Sequence, residues 1–113
     1  MTDLQYPICN EIPKDFSSDI EMVSVDLARS LLSDVEYIKL LKDNYTKEII
    51  EKIHNNEYYF HGSPIIISTE GSLLSGHEIL AAIIATKMPL LNVVSRNVPK
   101  EYYTTIDLFS PRH

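Results

Sequence analysis

The run Ser75-Gly76-His77-Glu78 carries the residue types best suited to chemistry in this chain. It opens a helix expected over Ile79 to Lys87, directly after the β-branched run Pro64-Ile65-Ile66-Ile67-Ser68 and the turn Thr69-Glu70-Gly71-Ser72. Unpaired backbone N–H groups at a helix start point outward and attract anions, so a strand feeding a Gly-led helix mouth is a natural seat for a phosphate. His77 titrates near neutrality and could act as a general base or metal ligand, although a lone His at a helix start is more often solvated or bonded to the cap. Glu78 could be an acid catalyst if buried; a first-turn Glu more often complements the positive end of the helix dipole. No basic side chain adjoins this mouth in sequence. Arg96 and Arg112 could replace it as a distributed anion grip, the plainer alternative being surface salt bridges with Asp107 or Glu101.

Two aromatic clusters, Tyr58-Tyr59-Phe60 and Tyr102-Tyr103, could stack bases or anchor a protein partner. At least one ring of each must face the core, and any pair left outward would mark an interface, which makes Tyr58, Tyr59, Tyr102 and Tyr103 the candidate interface residues. Metal chemistry is not expected. His54, His61 and His77 lack a spacing of three or four residues, and Cys9 is the single cysteine. No cofactor is expected either.

Composition narrows the field. At 113 residues the chain is expected to form one domain that buries roughly two thirds of its unfolded surface. The lone thiol permits no internal disulfide, which fits a reducing compartment. The longest apolar run, Ile79 to Ala85, is seven residues, far short of the ~20 a bilayer crossing needs. Met1-Thr2-Asp3-Leu4 lacks the basic start and apolar stretch of a secretory signal, so a cytoplasmic location is expected. Sixteen acidic against ten basic residues give a formal net charge of −6, which opposes nonspecific binding to DNA and suits a small molecule or a basic protein partner.

The elements that must position these residues follow from caps and periodicity. Residues 1–20, with Pro7 and Pro13, read as an irregular arm and 21–113 as the domain. Glu21 to Ser24 reads as a strand, and Val25 to Leu32 as a helix capped by Ser24. Ser33 and Glu36 have capping-box spacing and open a helix to near Asn44, with Val35, Ile38, Leu41 and Tyr45 as its inward face. Thr46 is placed to cap a further helix to Asn55, with Ile49, Ile50 and Ile53 as its buried stripe. The helix beyond Gly76 is apolar all round and therefore needs cover on both sides. Met88-Pro89 ends it, Leu90 to Arg96 reads as a strand, and Pro99 opens a short last helix. This order describes an α/β (α+β) domain with a small mixed sheet and packed helices.

Taken together, Val23-Ser24-Val25-Asp26-Leu27-Ala28, Gly62 to Ser68, Gly71-Ser72-Leu73-Leu74-Ser75-Gly76, Leu80-Ala81-Ala82, Ile106-Asp107 and Arg112 resemble the ParB/sulfiredoxin-like fold. The likeness is to the ParB-like domains of phage and plasmid proteins in particular. It implies a phosphate-gripping mouth in which the glycine is followed by a polar pair and an arginine, written GERR in ParB and G-x-H-R in sulfiredoxin and many phage relatives. The arginine position here is Ile79, next to the acid Glu78. Losing a charge-assisted bond to phosphate costs about 1.5–3 kcal/mol. Sulfiredoxin's redox chemistry needs a cysteine after the glycine, and Cys9 is distant in sequence.

The expected function is therefore that of a non-catalytic, phage- or mobile-element-type binding protein on a degenerate ParB-like scaffold. Its partner would be a protein with a basic surface, for instance the nucleic-acid groove of a host defence complex that it inhibits. The alternative is a ParB-like nuclease or nucleotide hydrolase with a site rearranged around His77, Glu78 and Arg96. A third possibility is one subunit of an assembly, such as a homodimer formed through the Tyr-rich segment.

Overall fold

The computed structural model of the protein describes residues 10–102. Chain order is β1 (Ser17–Val23), α1 (Val25–Leu31), α2 (Asp34–Leu40), α3 (Asn44–His54), β2 (Pro64–Ser68), β3 (Leu73–Ser75), α4 (His77–Thr86), β4 (Leu90–Val98) and a closing 3-10 turn, Lys100–Tyr102. The strands form one sheet in the order β1-β4-β2-β3. β4 runs antiparallel to β1, with Ile20 opposite Val93, and parallel to β2, with Ile65 opposite Val94. β2 and β3 form an antiparallel hairpin. The expected mixed α+β architecture is the one observed.

α4 sits at the centre because its sequence leaves it no polar side. Ile79 to Ile84 are all buried, and Leu80, Ala81, Ala82 and Ile83 are wholly inaccessible. One flank meets Ile65, Ile67 and Val94 of the sheet; the other meets Ala28, Leu32, Ile49 and Ile53 from the helical layer. Burying a side chain such as Leu80 or Ile83 contributes about 1.5–3 kcal/mol. The helices thus cover one face of the sheet. The other face stays open around Ile20, Met22 and Leu91.

Local signals set most boundaries. Ser24 accepts a bond from the Leu27 amide at 3.1 Å and starts α1, and the Ser33–Glu36 capping box starts α2. Three expectations need correction. The strand read from Glu21 begins at Ser17, so part of the expected arm lies in the sheet. The cap of α3 is Asp43, whose carboxylate accepts from the Thr46 amide at 3.0 Å; Thr46 is the partner of the cap. α2 stops at Leu40, and this break resets the helical phase: Val35 and Ile38 face solvent while Tyr37 and Leu40 pack on the core. The strand Leu73–Ser75 was not expected. At three residues it is too short to show a period.

Candidate functional site

The helix mouth is built from the turn upward. Ser68 organises that turn: its hydroxyl accepts from the Ser72 amide at 3.0 Å and the Glu70 amide at 3.2 Å, and lies 2.7 Å from the Ser72 hydroxyl. Gly71 supplies the left-handed residue, at φ +86°. The chain then pairs Ser75 with Ile66 and enters α4 through Gly76, also left-handed at φ +100°. A Cβ on Gly76 would lie 2.9 Å from Ile65 Cγ1 and 3.1 Å from Ile65 Cα. The glycine is thus demanded by close packing on β2 as well as by its backbone angle.

No side chain caps α4, so its first N–H groups keep their anion-attracting character. His77 and Glu78 are half-buried there, and neither joins an ion pair among the described residues. Ile79 is a core residue, packed in the central apolar cluster. Position 79 therefore presents no polar group to the mouth.

Arg96 is engaged elsewhere. Its guanidinium grips the Glu21 carboxylate in a two-pronged pair, Nη1 to Oε2 and Nη2 to Oε1, the latter at 3.2 Å. The Glu21 bond holds the Arg96 pKa above its usual value; partial burial opposes this, and the Glu21 and Asp19 charges add to it. Topology separates the pair from the mouth. Glu21 lies on β1 at one edge of the sheet, whereas Ser75 and Gly76 leave β3 at the opposite edge. Near the 69–72 turn, Lys100 Nζ pairs with Glu70 at 3.1 Å, both groups being exposed. Arg112, Tyr103, Asp107 and Cys9 lie outside the described residues.

The aromatic residues make a second candidate surface. A half-open, mainly apolar groove of about 360 Å³ runs between α3 and the segment before β2, lined by Tyr45, Glu48, Ile49, Lys52, Glu57, Tyr58, Tyr59 and His61. Tyr58 packs against the core and its hydroxyl lies 3.1 Å from His61 Nε2, with the rings tilted at 5.5 Å. Burial, and then the neighbouring Tyr45, push the Tyr58 phenol pKa upward. Tyr59 is 74% exposed and Phe60 also faces outward, so the cluster divides into one inward ring and two outward ones. Tyr102 is exposed in the closing turn. Sequence reading missed Tyr45, Glu48, Lys52 and Glu57 as groove residues. Their i, i+3, i+4 spacing on α3 was the available signal for Tyr45, Glu48 and Lys52.

Among the described residues no group of three or more His, Cys, Asp or Glu could hold a metal ion. No helix among them is long and apolar enough to cross a membrane. No family model and no curated protein matches the chain. A solved structure, the C2221 form of a Pnob8-like ParB-N domain, is similar to 84% of this chain with a TM-score of 0.44 and 13% identity. The chain spans 35% of that protein's length.

Proposed function

We propose that this chain is a non-catalytic binding module that engages a protein partner with a basic surface. The observation that carries the reading is the groove beside α3: a mainly apolar lining with outward Tyr59, and two carboxylates, Glu48 and Glu57, against one lysine, Lys52. Tyr is among the side chains enriched at the energetic centre of protein interfaces, where binding desolvates it. A net charge of −6 adds steering toward a cationic partner. Tyr102, exposed in the closing turn, and Tyr103 are proposed as further interface residues on the strength of their type alone. In its finer form the proposal is a phage- or mobile-element-type protein that occupies the nucleic-acid-binding surface of a host complex and inhibits it.

The opposing reading makes His77, Glu78 and Arg96 a nuclease or hydrolase site, with Ser75 and Gly76 as its anion seat. The Arg96–Glu21 pair weighs against it, because that guanidinium already has a carboxylate. Thermal unfolding with CTP or ATP and Mg²⁺ or Mn²⁺ separates the two. A ligand at a hundredfold excess over its Kd stabilises by about 2.7 kcal/mol, an easily visible shift, so flat curves are expected here. A clear rise with either nucleotide would restore the enzyme. For the groove itself, a partner captured by the tagged wild-type chain should be lost with Tyr59→Ala/Phe60→Ala; equal recovery would exclude it.

A further inference from the structure

We propose that the edge of β1 turned away from β4 receives an extended segment of a partner protein in which apolar residues alternate with Lys or Arg, adding a fifth strand to the sheet. This rests on the protein-binding reading but uses a different surface from the groove. Among the described residues β1 pairs only with β4, so the outward N–H and C=O groups of its seven residues have no strand partner. Such an edge is a template for pairing unless it is blunted by charges, Pro or cover; Ser17 to Val23 contains no Lys or Pro, and its two charges, Asp19 and Glu21, oppose every incoming strand except a cationic one. The opposite edge, β3, is three residues long and offers little to pair with.

The side chains of β1 specify what the incoming strand must carry. Ile20 and Met22 are 63% and 59% exposed, and Leu91, opposite Met22, is 48% exposed; all three lie on the face away from the helices. Asp19 and Glu21 alternate with them on the helix side. Asp19 is exposed and forms no ion pair among the described residues, while Glu21 is paired with Arg96, whose charge also feels Asp19. A strand with aliphatic residues on one face and cations on the other satisfies both rows, since opposite residues in paired strands share a face.

A second copy of the chain fits poorly. In two-fold antiparallel self-pairing centred on Ile20, Asp19 opposes Glu21 of the other copy. Centring on Asp19 or Glu21 sets each carboxylate against itself. Like charges directly opposite one another destabilise a pair.

The test uses the full chain and a capped nonapeptide alternating Lys with Ile or Val. Its controls are a version with Glu for Lys and two versions N-methylated at odd or at even residues. The expected result is binding with slowed hydrogen exchange at β1 amides, loss of at least tenfold with one N-methylation pattern but not the other, and similar loss with Asp19→Lys. No binding, equal binding of both N-methylated peptides, or binding of the Glu version would overturn the proposal. So would β1 protection that grows with chain concentration alone, which would make a second copy the occupant. A partner whose capture survives Asp19→Lys but fails with Tyr59→Ala would sink the edge and leave the binding module standing.

Discussion

Gly76 and Ile65 meet so closely that a single added carbon on the glycine would fall 2.9 Å from the Ile65 side chain. That contact seats α4 against β2, and with φ at +100° it leaves only glycine unstrained. Gly76→Ala combines left-handed strain of about 1–2 kcal/mol with overpacking of about 1–3 kcal/mol. A loss of roughly 2–5 kcal/mol in urea unfolding is expected. A loss below about 0.5 kcal/mol would mean that the mouth relaxes freely and the glycine serves something other than packing.

Installing arginine at position 79 should not create a phosphate grip. Ile79 is only 4% exposed and lies in the central cluster, so Ile79→Arg puts an unpaired cation into the core. The expected cost is at least about 3–5 kcal/mol, enough to unfold much of a marginal domain. Circular dichroism should report lost structure. A folded variant that binds CTP would refute this.

Alkaline pH should weaken the fold through Tyr58. Its phenol is held protonated in the folded state to a higher pH than in the unfolded chain, by burial first and by Tyr45 second. The unfolded chain then binds fewer protons above pH ~10, so stability falls as pH rises. The contribution is complete below the unfolded pKa and is lost through the folded one. Tyr58→Phe should flatten the decline in Tm between pH 9 and 11 relative to wild type. Parallel curves would remove Tyr58 as the cause.

Asp43 caps α3, and its removal should be felt. Asp43→Ala is expected to cost about 0.5–2 kcal/mol, with Asp43→Ser recovering most of it, because a hydroxyl can also accept from the Thr46 amide. Urea midpoints of the three chains decide the point. No recovery by serine would mean that the carboxylate acts through its charge.

Much of the fold was readable along the chain. Ser24, the Ser33–Glu36 box, the Ile49–Ile53 stripe and the all-apolar α4 each encode an element within a few residues, and each element is present, α2 being shorter than expected. Where reading failed, the cause was competition between local signals. Asp43 and Thr46 both suit a cap, and only the end of α2 at Leu40 decides between them. β3, at three residues, has no periodic signature; the Ser68 turn network and the pairing with Ile66 make it a strand.

The candidate sites divide in the same way. The type of each residue was legible by itself: an uncapped Gly-led helix start, a chain of net charge −6, and tyrosines in excess of what a core absorbs. Which residues meet was decided by the tertiary structure. Glu21 and Arg96 are 75 residues apart yet form a pair because β1 and β4 are neighbours, and this holds the β4 cation against the edge strand β1, away from the helix mouth. Caps and periodicity act over a few residues and are written locally. Ion pairs, grooves and exposed edges depend on strand order, which becomes defined only when the whole apolar surface is buried together.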